Sequence, residues 1–227
     1  MADNYRVASM DRTAGRASTL ATNAVIRNTY ILLSLTLLFS AFTAGVAMVT
    51  NAPPLNFIIV LVGYFGLLFL TNALRNSVWG LASIFALTGF MGYTLGPVIN
   101  AYITMFSNGT ELVLTALGGT GAIFLGLSGY ALTTRKDFSF LRGFLLAGIL
   151  VAFVAGLVSI FFTMPALSLA VSTAFMLLMC GLILYQTSEM IHGGETNYIM
   201  ATITLYVAIY NLFTSLLHLL GFFGGED

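Results

Sequence analysis

Three groups of residues carry the chemistry this sequence could perform. In Gly126-Leu127-Ser128-Gly129 a serine sits between glycines, the form of an acyl-transfer nucleophile, which needs a histidine base at about 3 Å. Only His192 and His218 are available. On the last apolar segment Ala201, Thr204, Ala208, Asn211, Ser215 and His218 recur three or four residues apart, so a helix would gather them into one small or polar stripe. Such a stripe serves either hydrogen bonds between helices or a hydrated path for an ion or proton. The third group is the polar run from Gln186 to Glu195. If helix continues through it, Gln186 and Glu189 share a face at i, i+3, Gly193-Gly194 ends the helix, and Arg75 is an available partner for Glu189. His192 and Glu195 offer two ligands to a cation, against the plainer reading of a solvated loop.

The elements that must position these groups follow from charge. The chain has 227 residues with 8 Lys or Arg and 8 Asp or Glu, so 7% is charged while 59% is hydrophobic. A soluble domain carries about 25% charged residues, and a water-soluble globule is excluded. A formal net charge of zero and no basic face leave no footprint for nucleic acid. The charges are clustered, leaving uncharged runs at 28–74, 76–110, 112–134, 143–188 and 196–225. Since ~20 apolar helical residues cross a bilayer core, the first and fourth runs hold two spans each and the others one. The fold class is all-α integral membrane, with seven transmembrane helices near 29–50, 55–74, 79–104, 111–133, 140–162, 166–187 and 198–222. Pro53-Pro54 and Pro165 mark the turns inside the long runs, and Pro97 beside Gly96 should bend the third helix.

All the basic residues fall on one side: Arg6, Arg12, Arg16 and Arg27 in the tail, Arg75 in the 2–3 link, and Arg135, Lys136 and Arg142 in the 4–5 link. This places the N-terminus in the cytoplasm and the C-terminus outside. Ser128 then lies roughly 8 Å below one surface and His218 roughly 6 Å below the other, leaving about 16 Å between them. Ser128 and His218 are thus too far apart to pair, His192 is on the correct side but in a loop, and the glycines read as packing in preference to a protease nucleophile. Lys136, the one lysine, stands in a loop, so no retinal Schiff base forms in the membrane. Without His-Glu-x-x-His, and with Cys180 alone, no metal, cofactor or intramolecular disulfide is implied. Asn108-Gly109-Thr110 has the form of an outward-facing glycosylation sequon but is read as a turn and helix cap ahead of Glu111. Gly118, Ala122 and Gly126, and again Gly148, Ala152 and Gly156, have the i, i+4 spacing of close helix contact, read as packing within the bundle, with a homodimer face as the alternative. Residues 1–27, rich in small and polar side chains and unlike a signal peptide, are expected to form a disordered cytoplasmic tail. The membrane domain follows over 28–222, with a short external tail at 223–227.

Several strings together resemble the Bax inhibitor-1 family: Gly96-Pro97, Thr134-Arg135-Lys136-Asp137-Phe138-Ser139-Phe140-Leu141, Tyr185-Gln186-Thr187, Leu205-Tyr206 and Asn211-Leu212-Phe213. The resemblance covers about residues 25–222 in order and implies a Bax inhibitor-1-like bundle. Within the family, Arg27-Asn28-Thr29-Tyr30 and Ile191-His192-Gly193-Gly194-Glu195-Thr196-Asn197-Tyr198 look like the proteobacterial branch of FtsH protease modulators. That branch implies a bacterial inner-membrane protein, not an enzyme, that binds the FtsH protease complex with its membrane regulators and restrains degradation of membrane substrates.

The family's other attributed activity, a pH-sensitive calcium leak, implies the alternative reading of a cation leak channel or transporter. In the family it is governed by two acidic residues. Here those positions hold Gln186 and Ala208, which cannot ionise, so a carboxylate pair sharing a proton is missing. Glu189 is the candidate displaced acid, and Ala208 has no stand-in.

Overall fold

A computed structural model supplies the architecture. The structure describes the backbone of residues 2–162 and 164–225, and the side chains of 22–159, 162 and 164–225. The elements are α1 (Ala2–Val49), α2 (Phe57–Leu74), α3 (Trp79–Met105), α4 (Gly109–Thr134), α5 (Leu141–Phe161), α6 (Pro165–His192) and α7 (Tyr198–Gly224). Among the described residues there is no strand, and seven helices are long and apolar enough to cross a membrane.

The helix ends have local causes. After Pro53-Pro54, Asn56 Oδ1 accepts from the Ile58 N–H at 2.9 Å and starts α2; Asn197 does the same for α7, accepting from Ile199 and Met200 at 3.0 and 3.1 Å. Arg135, at φ 50°, closes α4 with its N–H on Ala131 O at 2.9 Å. Asn108 holds the N-cap position of α4 without a side-chain cap bond, and its Nδ2 donates to Gly224 O at 2.6 Å, tying the start of α4 to the end of α7.

Two ends depart from the expectations. Helical backbone runs through residues 2–27, where composition pointed to disorder; no proline occurs before Pro53, and alanines and arginines, good helix formers, recur along the segment. At the other departure α6 continues past 187 to His192, so His192 ends a helix instead of lying in a loop. Nothing breaks the helix before Gly193, whose φ of 78° suits glycine, and the Gly194 N–H then closes on Glu189 O at 2.9 Å.

Packing is shared mainly by α3 and α7, and α7 touches α1, α3, α4 and α6. Its Leu205, Ala208 and Leu212 are fully sealed, and 44% of its membrane window is buried against 6% for α2 and 11% for α5. The outer helices lean mainly on one neighbour each, α2 on α3 and α5 on α6. The closest approach joins α1 and α3: a Cβ on Gly96 would stand 2.6 Å from Ala47 Cβ and 2.8 Å from Ala44 O, and Gly92 meets Ser40 and Thr43 in the same way.

The small-residue stripe of α5 does pack inward, with Gly148 against Leu178 and Gly156 against Val171. That of α4 does not: Gly118 and Gly126 have open space around them and Ala122 is exposed. The opposite face of α4, bearing Val113, Ala116, Thr120 and Phe124, is the one buried.

Candidate functional site

At the arginine-rich end of the bundle, the last two turns of α6 are a polar junction. Ser188 Oγ accepts from the Phe138 N–H at 3.0 Å and donates to Lys136 O at 3.2 Å, pinning the basic 4–5 link to α6. His192 Nδ1 lies 2.9 Å from Ser188 O; a carbonyl only accepts, so this nitrogen carries the proton. Asp137 Oδ1 accepts from the Ser139 N–H at 2.8 Å, and that bond holds its carboxyl below the usual carboxylate range. Lys136 Nζ donates to Tyr130 OH at 3.2 Å.

The expected partner of Glu189 is elsewhere. Arg75 donates to Asn72 Oδ1 at 3.3 Å, and its carbonyl accepts from Asn197 Nδ2 at 3.1 Å. Glu189 instead leans over Gly194, where a Cβ would come within 2.5 Å of its Oε2. Glu195, the would-be partner of His192 on a cation, accepts from the Asn197 N–H at 2.8 Å.

Deeper in, α1, α4, α6 and α7 bring buried polar groups to the same end of the bundle. Thr202 Oγ1 donates to Tyr198 O at 2.7 Å and lies 3.3 Å from Thr29 O, and Tyr30 OH lies 3.5 Å from Thr187 Oγ1. Thr29 Oγ1, Ser128 Oγ and Gln186 Nε2 are buried with no protein partner. Gln186 is 5% exposed and Ala208 0%, so both positions implied for an acidic pair lie inside the protein. No Asp or Glu among the described residues is buried. A proton-sharing carboxylate pair therefore has no place in this interior.

Along α7 the polar stripe is largely self-satisfied. Thr204 Oγ1 donates to Met200 O at 3.1 Å and Asn211 Nδ2 to Val207 O at 2.8 Å, both within the helix. Ser215 is buried, and His218 reaches α6, with Nδ1 2.7 Å from Ser172 Oγ and Nε2 3.4 Å from Ser168 Oγ. Further helix-to-helix ties come from residues outside that stripe. Tyr206 OH donates to Thr88 O at 3.2 Å and lies 2.7 Å from Ser40 Oγ; its one proton is committed to the carbonyl, so Ser40 donates to it. A buried tyrosine hydroxyl in a membrane span needs such a partner, and that need was the overlooked signal.

Among the described residues no three His, Cys, Asp or Glu side chains gather as a metal site. Seven membrane-crossing helices around a carboxylate-free interior define a multi-pass α-helical membrane protein. The chain belongs to the Bax inhibitor-1 family: the family described as Inhibitor of apoptosis-promoting Bax1 matches residues 22–225. It is 56% identical over 205 residues to an uncharacterised protein of Pseudomonas aeruginosa, covering 90% of this chain and 92% of the relative. It is 52% identical over 207 residues, 91% of this chain and 94% of the relative, to the Modulator of FtsH protease YccA of Escherichia coli K12. The same identity and coverage hold for the protein named Inner membrane protein YccA in Escherichia coli O6:H1.

Proposed function

We propose that the protein is a bacterial inner-membrane partner of the FtsH protease complex, restraining its degradation of membrane substrates by direct contact and catalysing no reaction itself. The observation that carries this is 52% identity, across 91% of the chain, to a relative named for modulation of that protease. The one-sided placement of all eight basic residues supports a cytoplasmic N-terminus and a periplasmic C-terminus.

Residues 1–27 are the handle by which a ring-shaped protease takes hold. As a coil this arm has a root-mean-square reach of roughly 30 Å, and as a helix a length of about 40 Å. Either spans the gap to a neighbouring pore, while the seven-helix bundle behind it resists extraction.

Co-purification of the full-length chain with the protease from membranes tests the partnership, and no recovery would end it. Deleting residues 2–20 tests the handle, since Arg27, Arg75 and the 4–5 link remain to direct insertion. The truncated chain should insert and be degraded more slowly. Degradation at the full-length rate would move the contact to the helices or to the Gln186–Glu195 segment.

A further inference from the structure

Between α1 and α4 the bundle has a lateral groove of about 580 Å³, floored by α3 and α7. The two helices flanking it make no sustained packing contact among the described residues. Its walls are mostly apolar, and three of the hydroxyls lining it are engaged within the protein: Ser40 and Tyr206 with each other and with Thr88 O, and Thr120 with Ala116 O at 2.7 Å. A water needs two to four polar partners, and an ion needs more, so neither is stable here. An empty slot would forfeit the dispersion contacts of its lining. Hydrocarbon is the remaining occupant.

Size decides which hydrocarbon. The groove follows α4 from Thr110 to Phe124, about 21 Å of helix. Dividing the volume by that length gives roughly 28 Å² for the paths open to atom centres; with an atomic radius added the slot is about 9 Å wide, narrower than the ~10–12 Å of an α-helix with its side chains. A partner helix cannot enter, but one polymethylene chain can. Gly45 and Gly121 line opposite walls with nothing within 4 Å of a Cβ, which keeps the slot clear.

The mouth gives the head group. Thr110 and Leu114 belong both to the groove and to a polar depression that also includes Glu111 and Thr115. Glu111 is the only charged residue described at this end of the bundle. An ammonium is thus favoured over a purely anionic head group. We propose that the groove holds one acyl chain of an amine-bearing phospholipid, with its ammonium at Glu111.

The full-length protein in vesicles doped with a phosphatidylethanolamine carrying a diazirine on its acyl chain provides the test, with the matching phosphatidylglycerol as the second arm. After illumination, labelling around Ala41–Gly45 and Leu117–Gly121 is compared with that of the outward face of α5 at Val151 and Val154. Groove labelling should exceed the α5 face by about tenfold, the ratio given by a modest preference for a held chain. Gly121→Phe, or Gly45→Leu should the first fold poorly, should bring it down to the α5 level. Glu111→Gln should abolish the preference for phosphatidylethanolamine while leaving tail labelling in place. Equal labelling of groove and α5 face, or labelling unchanged by both filling variants, overturns the site. A groove labelled equally from both lipids overturns the head-group assignment.

Discussion

Gln186 and Ala208 decide what the interior can do with protons. Sealed between α6 and neighbouring helices, Gln186 offers only an amide, and Ala208 offers nothing. Purified protein in liposomes loaded with a calcium dye should therefore show no steep leak between about pH 6 and 8, because titration there needs a coupled or desolvated carboxylate. A leak with an apparent pKa in that window, lost in Glu189→Gln, would reverse this reading and identify the displaced acid. Asp137 acts in the other direction of pH. Its carboxyl is depressed by the Ser139 N–H, so the stabilisation of the 4–5 link is present above the ordinary carboxylate range and lost as pH falls through the lowered value. The Ser139 amide resonance should stay fixed from neutral pH down to that range and shift only below it. In Asp137→Asn the acid step should vanish; a step that persists would assign it to another group.

Glycines separate two kinds of helix face. Gly92 abuts backbone of α1, so Gly92→Leu must part α1 from α3 and should cost at least the ~1–3 kcal/mol of core overpacking. Gly118→Leu and Gly126→Leu enter open space and should change stability by less than about 0.5 kcal/mol. Thermal unfolding in detergent checks both, and a shift from dimer to monomer in Gly118→Leu would show that the α4 stripe serves a second copy. Spacing alone could not make this distinction, since Gly118-Ala122-Gly126 and Gly148-Ala152-Gly156 are the same pattern. Only the second meets a neighbour, because which face of a helix turns inward depends on partners far away in sequence. The seven spans and their turns were legible because charge and proline mark them directly. The Ser188 junction and the Ser40–Tyr206–Thr88 tie were not, since each joins segments fifty to more than a hundred residues apart.

For the molecule as a whole, the asymmetry of basic residues sets orientation. Cysteines placed at Ser9 and Ser139 should be shielded from an impermeant thiol reagent in intact cells, and one added after Gly225 should react. Labelling at Ser9 from outside would invert the bundle and, with it, the side on which a protease could take hold of the tail.

The central position of α7 has a consequence for biosynthesis. At ~5–20 residues per second, roughly 5–20 s pass between the synthesis of α3 and that of α7. During that interval Ser40 and Thr88 stand in the membrane without Tyr206, and the surfaces of α1, α3, α4 and α6 that will enclose it face lipid or one another. The bundle is completed only by its final span. A ribosome that stops short of residue 206 releases a chain in which the Ser40 hydroxyl and the Thr88 carbonyl lack the tyrosine that joins them.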